Sequence, residues 1–206
     1  MTKGKLIASL ACALMLGSAG VATAAPIFSD NFNTENGGAY ALNYNTFTNW
    51  NVINGTVDLI GQGSPYDFLP GNGLYVDLDG SSNAAGLMIP RLLNIPTAGN
   101  YTLSFQLAGS HRTPTNETVN VQASLGGYAD IFSIASGQGF TTYTADLYFA
   151  QAGDLYLTFQ NLGGDNMGAL LDNISVAPAV PEPGTMMLLG AGFLGLAIYN
   201  KRRKNA

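Results

Sequence analysis

Between Pro26 and Ala177 short apolar–polar alternations follow one another, separated by clusters of Gly, Asn, Asp and Pro. No long stretch repeats its apolar residues at helical spacing. Period two is the mark of a half-buried strand. The clearest case runs from Tyr101 to Leu107, with Tyr101, Leu103, Phe105 and Leu107 on one face and Thr102, Ser104 and Gln106 on the other. Asp154 to Gln160 repeats the pattern. Leu170 to Val176 closes the body in the same way, with Leu171, Asn173 and Ser175 expected on one face. Strands are expected near 27–33, 47–53, 56–61, 73–79, 85–93, 100–109, 117–125, 129–135, 140–150, 154–161 and 168–176. Asn54-Gly55, Asn72-Gly73, Asp79-Gly80, Gly126-Gly127 and Gly163-Gly164-Asp165 lie between them, where turns need positive φ. About ten short strands with no 20–50-residue repeat predict an all-β fold, an antiparallel β-sandwich of jelly-roll type.

The two ends follow other patterns. Lys3 and Lys5, the apolar run Leu6 to Leu16, and the small residues of Ala22-Thr23-Ala24 form a secretory signal over 1–24, with cleavage between Ala24 and Ala25. Cys12 does not make it a lipoprotein signal, because Ser9 stands where a lipobox wants Leu. At the other end, Val180-Pro181-Glu182-Pro183-Gly184-Thr185 precedes an apolar stretch from Met186 to Tyr199, which is expected to be a membrane helix. Asn200 and the basic cluster Lys201, Arg202, Arg203 and Lys204 follow, a stop-transfer signal that stays cytoplasmic. The apolar stretch is short for a span and contains Gly190, Gly192 and Gly195, so it crosses only marginally. The chain divides into a signal peptide (1–24), a sandwich (25–177), a Pro-rich linker with the tripeptide (178–185) and a hydrophobic segment with its basic tail (186–206).

This tail resembles the PEP-CTERM sorting signal of exopolysaccharide-making Gram-negative bacteria. The motif is Pro181, Glu182 and Pro183. The resemblance implies processing by an exosortase-type membrane protease, transient anchoring in the inner membrane, and delivery to the cell surface or extracellular matrix. Tails of this kind also go under the name ice-binding-protein C-terminal domain, which describes the anchor. Thr141, Thr142 and Thr144 are too few and too irregular for a flat ice-binding array.

Charge sharpens the picture. The chain has 8 Lys+Arg and 13 Asp+Glu. Only Arg91 and Arg112 lie in the body, against twelve acids, so the body is near −10. Such a surface repels phosphate backbones and anionic lipid, which excludes nucleic acid as a partner. The one cysteine lies in the signal, so the body has no disulfide and no thiolate metal site. The acids are expected mainly to solvate loops.

Catalytic chemistry finds little to stand on. His111 is the only histidine, set in a polar loop, and no Gly-x-Ser-x-Gly elbow accompanies it. It reads as an exposed loop residue. Asp58, Asp77, Asp79 and Asp130 show no spacing that demands a glycosidase pair. The body therefore reads as non-catalytic, structural or carbohydrate-binding. The alternatives are a glycan hydrolase, revived by a cleft with two facing carboxylates, and a protein–protein adhesion module. For sugar binding the candidates are Trp50, Tyr66 and Arg112: rings stack on a pyranose face, and polar groups take its hydroxyls. Trp50 also reads as core, and Arg112 also as a structural ion pair. Tyr40, Tyr44 and Tyr66 are expected to be exposed.

The body also resembles a family. Trp50-Asn51-Val52, Gly55 to Ile60, Gly73 to Gly80, Tyr101 to Gly109 and Leu171 to Val176 follow one another as in the bacterial choice-of-anchor proteins. Those are secreted, galactose-binding-like sandwiches, similar to jelly-roll carbohydrate-binding modules. The resemblance implies a jelly roll and a surface or matrix role, with polysaccharide as a partner. It also implies structural Ca²⁺ between the first and last strands. Here that site would use Asp30, Asn33 and Asp172, with Asn33 where such modules carry Glu and with Asp30 or Glu35 able to compensate.

Overall fold

The computed structural model describes residues 24–82, 84–112, 114–124, 127–179 and 185–204. Ala22 and the motif residues Pro181, Glu182 and Pro183 lie outside the described residues. Residues 25–179 form one compact unit. Its strands, in chain order, are β1 (Phe28–Asp30), β2 (Trp50–Ile53), β3 (Asp58–Gly61), β4 (Leu74–Asp77), β5 (Leu87–Pro90), β6 (Asn94–Ile95), β7 (Gly99–Ala108), β8 (Glu117–Ala123), β9 (Tyr128–Ile134), β10 (Thr141–Phe149), β11 (Gly153–Asp154), β12 (Leu157–Asn161) and β13 (Leu170–Pro178). The helix α1 (Thr185–Lys204) lies in the other unit.

One sheet runs β10-β7-β13-β4-β3, with β1 paired on β13. The second runs β2-β5-β12-β8-β9, and β6 and β11 form a small ribbon. The strand ladders are antiparallel. The chain passes repeatedly between the sheets, as in a jelly roll. The inward faces share one core, in which Leu59, Val76, Phe105 and Leu171 meet Trp50, Met88, Val121 and Phe159. Aromatic edges lock the layers: Phe105 and Phe159 have ring centroids 5.3 Å apart in an edge-to-face contact.

Each expected strand is present. The two-residue β6 and β11 are additional, too short to show a period. The final strand departs from simple alternation. Asn173 has φ 48°, and the register with β7 shifts between Asp172 and Ser175. This bulge reverses the phase of the strand. Leu171, Ile174 and Val176 face the core, while Asn173 is exposed and Ser175 half-buried. The face expected for Leu171, Asn173 and Ser175 is thereby broken. The strand also runs on through Pro178, and the Ala179 N–H donates to Asn100 O at 2.8 Å. Pro178, expected in the linker, therefore belongs to the last strand.

β3 and β4 are buried on both faces. Their outward residues Ile60 and Tyr75 join Ala108 and Leu170 in a second small core under Phe68, Leu69 and Phe140. Segment 62–73 folds over the sheet to supply that cover. Its ends approach so closely that a Cβ on Gly61, at φ +112°, would lie 2.2 Å from Gly73 O. Glycine alone suits both the conformation and the contact. The Tyr75 hydroxyl pins the segment. It accepts from the Phe68 and Leu69 N–H groups at 2.8 and 3.1 Å and donates to Asp67 Oδ1 at 3.2 Å. Burial pushes this phenol up to about 12.

α1 has 20 residues and carries the basic cluster Lys201–Lys204 in its last turn. Among the described residues no helix is long and apolar enough to cross a membrane. Its apolar part, Met186 to Tyr199, spans only about 21 Å at ~1.5 Å per residue.

Candidate functional site

The covering segment leaves a pocket of about 100 Å³ on the outer face of the larger sheet, lined by Leu42, Ile60, Tyr66, Ser81, Arg112 and Asn166 above the carboxylates Asp58 and Asp77. Tyr66 reaches it from the segment pinned by Tyr75. Its N–H donates to Ser64 Oγ at 3.0 Å, and it remains 36% exposed. Asp58 and Asp77 come from directly opposed positions on β3 and β4. Asp58 Oδ1 accepts from the N–H groups of Asn43 and Ser81, and its Oδ2 accepts from the Ser81 hydroxyl. Asp77 Oδ1 accepts from the N–H groups of Asp79 and Gly168. Asp77 Oδ2 pairs with Arg112 Nη2.

Arg112 enters from the segment after β7. Its guanidinium carbon lies 5.4 Å from the Phe68 ring centroid, which adds a cation–π contact to the ion pair. Burial raises the Asp77 carboxyl well above its ordinary range, with Arg112 and two backbone N–H groups pulling the other way. The fold thus brings Tyr66 and Arg112 together, and the role of Arg112 as half of an ion pair is built into the site.

Trp50 stands elsewhere. It is fully buried, in contact with Phe28, Phe32 and Phe159, so its ring is core and offers a ligand no platform. Its indole Nε1–H donates to Asp30 Oδ2 at 2.9 Å. Tyr44, expected at the surface, is buried beside Phe47, with its hydroxyl 3.5 Å from Glu35 Oε2. Tyr40 is exposed as expected. His111 is an exposed loop residue with φ 56°.

The three residues named for calcium are not gathered into one donor set. Asn33 Oδ1 accepts from Leu74 N–H at 2.7 Å, tying the first loop to β4. Asp30 spends Oδ1 on Phe32 N–H and Oδ2 on Asn49 and Trp50. Asp172 accepts from the backbone and side-chain amides of Asn173. Burial pushes the Asp172 carboxyl up to about 7, Asn173 N–H lowers it, and the nearby Asp30 charge raises it further. Glu35 is also taken, by Thr48 N–H and Oγ. Asp30 and Asp172 are near enough to interact, whereas the Asn33 side-chain oxygen is turned to β4, so the three named residues do not converge. Among the described residues no group of three or more acidic, histidine or cysteine side chains is assembled for a metal.

The acids as a class depart most from expectation. Glu35, Asp58, Asp77, Asp79, Glu117 and Asp172 are buried rather than loop-solvating. Each receives protein hydrogen bonds, and for all of them except Asp172, whose donors both belong to Asn173, those bonds include one from a segment distant in the chain.

Residues 179–203 match the PEP-CTERM protein-sorting motif. The chain therefore carries this signal, which marks it for export and for processing at the membrane. No protein of curated function matches the chain. Among solved structures, the chain is similar to a carbohydrate-binding module of Cellvibrio mixtus lichenase 5A in complex with cellotriose, at 14% identity and a TM-score of 0.39, covering 76% of this chain and 100% of that one. It is also similar to a xylan-binding domain from Paenibacillus barcinonensis, at 14% identity and a TM-score of 0.45, covering 77% and 98%. A cleaved adhesin domain of Lys-gingipain from Porphyromonas gingivalis has 18% identity and a TM-score of 0.47, covering 74% and 99%. The sandwich itself is established by the strand pairing above.

Proposed function

We propose that the exported chain is a non-catalytic surface or matrix module that binds a neutral polysaccharide at the Tyr66–Arg112 pocket, after an exosortase-type protease has processed its tail. The observation that carries the reading is the partly exposed Tyr66 ring beside a polar pocket whose one guanidinium is held in place. A pyranose face stacks on such a ring, while an edge bearing hydroxyls enters the pocket toward Ser81, Asn166 and Arg112. A pocket of about 100 Å³ takes that edge and leaves the polymer outside. The acidic body disfavours an anionic polymer, and Arg112 is already balanced by Asp77.

Absence of catalysis is supported by how the facing carboxylates are used. A glycosidase needs one acid and one base or nucleophile directed at the glycosidic bond. Asp58 and Asp77 are instead committed to backbone N–H groups and to Arg112.

The test is a glycan array probed with residues 25–179. Binding confined to neutral glycans is expected, and binding to no glycan sinks the reading. Incubation with any bound glycan is expected to release no reducing sugar.

A further inference from the structure

The end strands of the two main sheets are β10 and β3, and β2 and β9. An end strand leaves one row of backbone N–H and C=O groups without a ladder, and native sheets protect such rows. Among the described residues, three of these strands are protected. β3 is bridged by the first loop: Ala41 N–H donates to Leu59 O and Leu59 N–H to Ala41 O, both at 2.9 Å. β2 has only four residues. β9 carries an inward charge. Asp130 pairs in register with the core residue Val121, yet it is exposed, and its Oδ1 accepts from Ile131 N–H at 2.8 Å.

β10 has no such device. Its nine residues pair with Gly99 to Leu107 without a break in register, and among the described residues β7 is its only strand partner. The strand reads Thr-Thr-Tyr-Thr-Ala-Asp-Leu-Tyr-Phe, rich in β-branched and aromatic residues and free of Pro, Gly and Lys. Its core-facing positions Tyr143, Ala145, Leu147 and Phe149 are apolar, so no charge points inward. On its outer face Thr142, Thr144, Asp146 and Tyr148 are exposed, Tyr148 at 65%.

The strand is also complementary to itself. Antiparallel pairing about a two-fold axis at Ala145, perpendicular to the sheet, keeps the core-facing sides of two copies aligned. Thr141 then meets Phe149 of the second copy, and Tyr143 meets Leu147. On the outer face Thr142 meets Tyr148, and Thr144 meets Asp146. Rings thus meet aliphatic or threonine side chains, and the one acid meets a hydroxyl. No acid stands directly opposite an acid, which matters in a body near −10.

We infer that β10 pairs with β10 of a second copy, joining two larger sheets edge to edge across a two-fold axis. The free backbone row gains its ladder. The Tyr66–Arg112 pocket lies over β3 and β4, beyond β7 and β13 in the sheet order, so pairing leaves it open. Two copies present two pockets to one polymer, which raises avidity. That gain rests on the glycan reading, whereas the pairing itself does not. The acidic bodies repel one another, so association strengthens with salt.

The experiment is sedimentation equilibrium of residues 25–179, which contain the whole hydrophobic core, without glycan. A concentration-dependent dimer is expected. Thr144→Asp sets two pairs of acids face to face and should weaken it about tenfold, while Thr144→Lys meets Asp146 of the second copy and should tighten it. Ala129→Asp adds the same charge on β9 and should match the parent within about twofold. Thr144 is exposed, so both of its variants are expected to fold. If one of them loses its β-sheet circular dichroism, the other decides by its own criterion. A parent that is monomeric at every concentration and salt overturns the inference. So does a dimer unchanged by the deciding variant, or one weakened equally by Ala129→Asp and Thr144→Asp.

Discussion

Asp172 shows how far a single residue can depart from its local sequence. In Leu171-Asp172-Asn173 it reads as a strand-end acid, yet it is 1% exposed and its carboxyl is pushed up to about 7. An unfolded Asp titrates near ~4, so the folded state holds its proton more tightly across the window between those values. That stabilisation is complete below about pH 4 and is lost as pH rises through about 7. Thermal melts of residues 25–179 should show the parent losing stability between pH 4 and 8, and Asp172→Asn losing less. Equal slopes would contradict the burial argument. Arg112 is decided by its partner in the same way. Arg112→Ala leaves Asp77 buried without its cation and should cost about 3 kcal/mol in urea unfolding. The sequence marked Arg112 and Tyr66 as candidates because cations and loop aromatics are scarce or conspicuous. It could not show that half of the body's acids are buried. For most of them the partners are remote, as with Asp77 and Gly168, 91 positions apart, and burial follows from that meeting.

Strands were the most legible level. Period-two segments such as Tyr101 to Leu107 appear where the alternation puts them, because an apolar face against a core leaves little freedom of register. Two features of that level were hidden. The bulge at Asn173 needs a residue tolerant of positive φ, and Asn in an Asn-rich chain is a weak marker of one. Asn173→Val should therefore destabilise by about 1–2 kcal/mol, and Asn173→Gly by clearly less, by denaturant midpoint. The cover formed by segment 62–73 was also hidden. Gly, Pro and Asn in that stretch announce a loop, but only the fold shows that it lies over Ile60 and Tyr75. Tyr75→Phe removes the acceptor for two backbone N–H groups. It should speed hydrogen exchange at Phe68 and Leu69 and lower stability by about 1–3 kcal/mol. Unchanged exchange would mean that the hydroxyl does not hold the segment.

At the scale of the whole molecule, charge and order divide the chain more clearly than length does. Six of its eight cations lie in the terminal segments, three of them within the matched sorting motif, and the sandwich between them keeps Arg91 and Arg112. Arg91 is structural, its Nε–H donating to the carbonyls of Phe47 and Trp50. Changing Pro181 and Glu182 to Ala should leave the tail attached and the chain in the membrane fraction, readable as a mass difference on a gel. The sorting motif was legible because its parts are contiguous and ordered along the chain. The pocket was legible only as separate residues, since Tyr66, Asp77 and Arg112 come from three segments that only the closed sandwich joins. The decisive measurement is the glycan array repeated with Tyr66→Ala, a change at a partly exposed ring that should leave the melting temperature close to that of the parent. Binding to neutral glycans by the parent, reduced at least about tenfold in Tyr66→Ala (~1.4 kcal/mol), is the expected result. Equal binding by the two proteins, or none by either, would contradict sugar recognition at this pocket.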